Sequence, residues 1–205
     1  MHGSSLINMS KFVDKYLDKN SRYKILDFGS QNVQEDKNAI YRKLFDSNPL
    51  WQYFGCDMAD GYNVDIVLKK VYEWKEIKSN SFDCVISGQA LEHVEFFWLT
   101  FLEIKRVMKH GGICCIIVPS SGPEHKYPID CYRYYPDGLR AVAKYVGLEV
   151  LEVYTQWDSS LYPEMDAIWK DSVIICKKPQ KNIYKDLKFF IKSKLIRFAS
   201  RGVIK

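Results

Sequence analysis

The segment YKILDFGS, residues 23–30, runs a strand-length apolar stretch into Asp-x-Gly-Ser, and the fold follows from how that stretch is read. A short apolar run stopped by glycine is a buried strand ending in a tight turn. Working outward, four more such runs follow: WQYFGCD (51–57), VDIVL (64–68), FDCVISG (82–88) and ICCIIVPS (113–120). Between them the apolar spacing changes from that of strands to that of helices. Leu6, Phe12, Val13, Tyr16 and Leu17 predict a helix before the first strand, and NAIYRKLFD (38–46) a short crossover helix. Glu95–Lys109 predicts a helix with Phe97, Phe101, Ile104 and Met108 on one face, stopped by His110-Gly111-Gly112. PDGLRAVAKYVG (136–147) has Pro at its start and Gly after its end, as helix termini prefer. LEVLEVYTQW (148–157) and DSVIICKK (171–178) then read as two strands paired as a hairpin. Strands alternating with helices predict an α/β domain: seven strands, mostly parallel, with a C-terminal antiparallel hairpin and helices on both faces.

The bounds from composition agree with that class. The chain has 205 residues, 47% hydrophobic and 15% aromatic, enough to bury a full core. No apolar run approaches the roughly 20 residues that cross a bilayer, and MHGSSLINMS has no signal-peptide pattern, so a cytoplasmic protein is expected. Its six cysteines form no C-x-x-C pair and most lie in apolar runs, which predicts reduced core thiols, no disulfide frame and no metal site. The net charge of +5 is unevenly placed: Lys177–Lys205 holds ten of the 30 basic residues and one of the 25 acidic ones. The body is therefore mildly acidic, and nothing in it points to nucleic acid.

In an open α/β sheet the ligand sits beyond the carboxyl ends of the strands. Those ends carry Asp27, Phe28, Gly29 and Ser30; Gly55, Cys56, Asp57 and Met58; Gly88 and Gln89; and Pro119 and Ser120. A glycine after the first strand lets backbone approach a ligand, and an acid ending the second can accept two hydrogen bonds from a ribose diol. Both are nucleoside features, although an isolated Asp after a strand also serves as a helix cap. The runner-up within this fold, a nicotinamide enzyme with G-x-G-x-x-G, is argued against by Gln31 and Gln34, which stand where its later glycines belong.

ILDFGS, YFGCD, FDCVISGQALEHV, EIKRVMKHGG and the end of the fifth strand together resemble, in order and spacing, the class I S-adenosylmethionine-dependent methyltransferases, over roughly residues 22–178. LEHVEFFWLTFLEIKRVMKHGG followed by PSSGPEHKYPIDCYRYYPDG is similar, more closely, to a bacterial small-molecule branch associated with surface-glycan assembly. The resemblance implies a Rossmann-like methyltransferase fold and S-adenosylmethionine as cofactor. It places the methionine moiety in the loop of Asp27, Gly29 and Ser30, with Asp27 orienting the ammonium. Asp57 takes the ribose, Met58 lies beside adenine, and Gly88 and Gln89 line the sulfonium pocket. The chain departs from the family pattern at Gln31 and Val33, where further glycines are usual, and at LKKVYEW (68–74), which leaves the adenine amine unassigned.

With the cofactor over strands one, two and four, the segment after strand five lies on the acceptor side. An oxygen acceptor must lose a proton, and His125, His93 and Asp130 are the candidate bases. Arg133 suits a phosphate or carboxylate on the acceptor, and Tyr127, with Tyr132, Tyr134 and Tyr135, suits a sugar. Asp130 and Arg133 also suit an ion pair that only fixes the loop. Residues 1–178 are read as the methyltransferase domain and 179–205 as a basic amphipathic helix, with Ile183, Leu187, Phe190, Ile191, Lys194 and Phe198 near one face. Such a helix docks on an anionic membrane or packs on its own protein. The expected activity is O-methylation of a small sugar, sugar phosphate or related glycan precursor; the alternative is a non-catalytic cofactor-binding or membrane-docking partner in glycan assembly.

Overall fold

The alternating runs produce the sheet they predict. The computed structural model describes residues 3–32, 40–158, 160 and 168–200. Seven strands, β1 (Tyr23–Phe28), β2 (Trp51–Asp57), β3 (Ile66–Val67), β4 (Phe82–Gly88), β5 (Met108–Pro119), β6 (Glu149–Thr155) and β7 (Asp171–Lys177), form one sheet in the order β3-β2-β1-β4-β5-β7-β6. The first five are parallel; β7 lies antiparallel between β5 and β6. The hairpin expectation is thus met, with β7 inserted beside β5 and β6 at the edge.

Side chains on a strand alternate between faces, so one apolar run feeds two cores. Cys114, Ile116 and Val118 of β5 join a core with Val85, α3 (Phe97–Val107) and α4 (Pro136–Val146). Cys115 and Ile117 join the opposite core with Ile86, α1 (Gly3–Tyr16) and Phe45 of α2 (Arg42–Asp46). All six cysteines are free, and all except Cys131 are buried. Gly147 closes α4 at φ 73°, the left-handed position a helix terminus favours.

Two boundaries differ from expectation for identifiable reasons. The crossover helix begins at Arg42, not at 38, because Tyr41 is drawn inward to bond Ser5 at 2.5 Å; residues 38 and 39 lie outside the described ones. The helix expected over 95–109 ends at Val107, and His110-Gly111-Gly112 is not its stop. Those residues belong to β5, where Met108 pairs with Phe82 and Ile113 with Cys84, so the intervening residues bulge out of register. Gly112 makes the bulge possible, since a Cβ there would stand 2.8 Å and 2.9 Å from the carbonyl oxygens of Lys109 and Asp83.

α5 (Ile183–Ser200) lies outside the sheet, and Phe189 and Ile196 pack on the α3/α4 core. Arg197 pairs with Glu103, and Lys192 donates to the Tyr145 carbonyl at 2.5 Å. Ile183, Leu187, Phe190, Ile191 and Phe198 remain exposed. Among the described residues no helix is long and apolar enough to cross a membrane. Residues 201–205 of the expected tail lie outside the described ones.

Candidate functional site

The parallel strands bring their carboxyl ends to one rim, and the loops after β1 and β2 are tied there by hydrogen bonds. Gly29 turns at φ 75°, and a Cβ on it would stand 2.3 Å from the Ala90 Cβ, so glycine is required for both conformation and space. Asp57 accepts from the backbone N–H groups of Met58 at 2.6 Å, Ala59 at 3.3 Å and Gln31 at 3.1 Å. Its carboxylate therefore clamps the two loops together and keeps lone-pair capacity for a further donor. Met58 is exposed beside it. Ser30 is buried and donates to the Asn63 carbonyl at 3.0 Å, while the Asn63 amide donates back to the Ser30 carbonyl at 2.9 Å. Val33 and Gln34, the positions where the glycine pattern departs, lie outside the described residues.

Asp27 and Gly88 lie deeper than the sequence reading put them. Asp27 is 1% exposed and accepts from the Tyr53 hydroxyl beneath the loop. Burial raises its pKa to about 7 against the lowering effect of that bond. A side chain at Gly88 would meet the Tyr41 hydroxyl at 1.8 Å, so this glycine serves the packing of Tyr41 beneath the rim. Gln89 follows directly on β4. It holds φ 55°, strained for a residue that is neither Gly nor Asn, and donates to Asp171 at 2.9 Å; its Oε1 has no partner among the described residues.

The ends of β4 and β5 bring the two histidines together. His93 closes a 3-10 turn, Leu91–His93, directly after β4; His125 comes from the loop after β5. Their ring centroids are 4.9 Å apart, with Tyr127 6.3 Å from His93 and Trp169 4.7 Å from His125. His93 Nδ1 lies 2.6 Å from the Ile129 carbonyl and His125 Nδ1 3.4 Å from Asp130 Oδ2. A carbonyl or carboxylate oxygen only accepts, so each Nδ1 is a donor, and the neutral ring then has its lone pair on Nε2. Burial lowers the pKa of His93, with His125 adding to the effect.

Asp130 and Arg133 form the ion pair that the sequence also suggested for fixing the loop. Arg133 binds both carboxylate oxygens of Asp130, at 2.6 Å and 2.7 Å, and also donates to the Tyr132 and Pro123 carbonyls. Hydrogen bonding to Arg133 holds the Asp130 carboxyl well below the usual carboxylate range, which makes it a weak proton acceptor. The Asp130 carboxylate also accepts from the His125 N–H at 2.7 Å, so the pair holds His125 in place.

Sequence reasoning passed over Glu92, Tyr53 and Asn63. Glu92 is fully buried, and burial raises its pKa to about 8. Its signal was present in ALEHV, where an acid stands among residues that pack inward. Tyr53 and Asn63 gave none, since their role comes from strands and loops distant in sequence.

Residues 38–116 match the family model described as a methyltransferase domain. Among solved structures the chain is similar to a SAM-dependent methyltransferase from Methanosarcina mazei, with TM-score 0.63, 12% identity and coverage of 83% of this chain and 98% of that one. It is also similar to the Burkholderia thailandensis 1,6-didemethyltoxoflavin-N1-methyltransferase with bound 1,6-didemethyltoxoflavin and S-adenosylhomocysteine, with TM-score 0.61, 14% identity and coverage of 86% and 79%. A third is phosphoethanolamine N-methyltransferase 2 of Haemonchus contortus in complex with S-adenosylmethionine, with TM-score 0.61, 15% identity and coverage of 84% and 53%. At these identities the structures establish the fold. No curated protein matches the chain at a significant level.

Proposed function

We propose that the protein methylates an oxygen of a small sugar, sugar phosphate or related surface-glycan precursor. The facing imidazoles of His93 and His125 at adjacent strand ends carry the reading. Their Nε2 atoms offer proton acceptors beside the position of the transferable methyl. A hydroxyl loses its proton to one of them, its lone pair bonds the methyl carbon, and the C–S bond electrons stay on sulfur as S-adenosylhomocysteine. Alignment supplies most of the acceleration, and the positioned base typically adds ~10²- to 10⁴-fold.

Exposed aromatic rings support a sugar acceptor. Tyr127 is 57% exposed beside His93, and the exposed rings of Tyr135 and Trp157 stack with centroids 6.4 Å apart. Flat rings of this kind cover the apolar faces of a pyranose while their polar edges hydrogen-bond hydroxyls. Arg133 contributes by holding the loop. The exposed apolar residues of α5, interleaved with lysines, support docking on the anionic inner face of a membrane from the cytoplasm. Flotation of the whole protein with anionic vesicles at low salt tests that part; protein left at the bottom of the gradient rejects it.

A screen of sugars, sugar phosphates and nucleotide sugars for S-adenosylhomocysteine release tests the reaction. With an acceptor in hand, His125→Ala and His93→Ala lower turnover by ~10²-fold or more and leave S-adenosylhomocysteine affinity nearly unchanged. Both variants turning over at the normal rate would remove the histidines from catalysis. Cofactor binding without turnover on any acceptor would favour the non-catalytic partner.

A further inference from the structure

Glu92 is fully buried, and neither carboxylate oxygen has a hydrogen-bond partner among the described residues. A buried carboxylate without a donor is costly. Protonation removes the charge but leaves an O–H that also needs an acceptor, and His93 Nε2 stands 3.8 Å from Oε1, beyond hydrogen-bond length. The unmet requirement lies beside the imidazoles of His93 and His125. One ligand atom each from Glu92, His93 and His125 fall within 4.8 Å of one another.

We propose that Glu92, His93 and His125 bind a divalent transition-metal ion on the acceptor side of the site. Two neutral imidazoles and one carboxylate are a ligand set that suits zinc and its neighbours and leaves a position open. The surroundings of the histidines are those of metal ligands: Nδ1 of His93 is fixed on a backbone carbonyl and Nδ1 of His125 faces the Arg133-bound carboxylate of Asp130, so both Nε2 atoms are directed away from their supports. The charged groups that act on Glu92 are Arg133, Asp130 and Asp171, one cation against two anions, a balance that favours a dication. Ligands about 2.1 Å from an ion stand roughly 3.0–3.5 Å apart, so binding draws His125 inward by about 1 Å. His125, with its side chain 33% exposed on a loop, is the ligand able to move.

The metal site stands on its own geometry; its role in turnover rests on the methyl-transfer reading. An acceptor hydroxyl in the open position has its pKa lowered by the ion and releases its proton to water, and its lone pair then bonds the methyl carbon while the C–S electrons remain on sulfur. Neighbouring sugar hydroxyls can chelate such an ion, which matches the acceptor class proposed above. In this form of the reaction the histidines hold the ion and take no proton.

Cobalt(II) titration of the chelator-treated full-length protein, followed by visible absorbance, tests the site without an acceptor. One equivalent binds with the d–d bands of a low-coordinate ion, and zinc displaces it. Glu92→Gln and His125→Ala each weaken binding by about 10-fold or more, while His110→Ala, at the opposite end of β5, binds normally. If Glu92→Gln does not fold by circular dichroism, His125→Ala decides alone. Failure to saturate below about 1 mM, or His125→Ala binding as the parent does, overturns the site. Metal binding with no methylated acceptor would keep the site and set aside the reaction. Absence of metal binding with histidine-dependent turnover would return the histidines to direct base catalysis.

Discussion

Asp27 is an acid in an apolar position of β1, and desolvation raises its carboxyl from 3.8 to about 7 despite the Tyr53 hydrogen bond. A group whose folded pKa is raised binds its proton more tightly in the folded state. Its contribution to stability is full below 3.8 and is lost as the pH climbs through about 7. Asp27→Asn, which still accepts from Tyr53, removes that dependence. Urea denaturation is therefore expected to show the variant gaining on the parent between pH 5 and pH 8 by at least ~1 kcal/mol, and an equal difference at both pH values would show Asp27 ionised throughout. Gly88→Ala places a methyl 1.8 Å from the Tyr41 hydroxyl and is expected to cost ~1–3 kcal/mol, with Tyr41→Phe in the same chain recovering part of it. At this scale the sequence named Asp57, His93 and His125 as candidates, because in such sheets strand ends face the ligand. It could not separate roles. Asp130 and Arg133 are three residues apart and legible as a pair, but only the fold shows that the pair holds His125.

Among the elements, β4 and its following turn contribute most to the site. Phe82–Gly88 positions Gln89, Glu92 and His93, and its pairing with β5 brings His125 alongside. The bulge in β5 shows how local propensity was overridden: His-Gly-Gly reads as a helix stop, yet the sheet uses its glycines where carbonyls leave no room for a Cβ. Gly112→Ala is expected to destabilise by ~1–3 kcal/mol, read from the denaturation midpoint; an unchanged midpoint would mean the bulge is not strained by a side chain. α5 touches the body mainly through Phe189, Ile196, Arg197 and Lys192, and Glu103 keeps Arg106 and the Trp74 N–H without it. A chain ending at Pro179 should fold and bind S-adenosylhomocysteine within about 2-fold of the parent, by circular dichroism and calorimetry. Loss of the fold would make α5 part of the core.

The whole molecule is a doubly covered sheet with one chemically loaded rim. The mostly parallel character of the sheet was legible because five strand-length apolar runs alternate with helical spacing. The place of β7 between β5 and β6 was not, because a hairpin pattern fixes which strands pair and not which of them meets the sheet. Glu92 was missed for a related reason: one acid among apolar neighbours acquires meaning only when burial and two distant histidines surround it. Everything proposed for the acceptor side depends on a cofactor seated over β1, β2 and β4. Calorimetric titration with S-adenosylhomocysteine is the direct measurement. The account predicts one site with a dissociation constant of about 10 μM or tighter, roughly −7 kcal/mol, weakened by ~1–3 kcal/mol in Asp57→Ala. Binding that is absent at millimolar ligand, or unchanged in a folded Asp57→Ala variant, would contradict it.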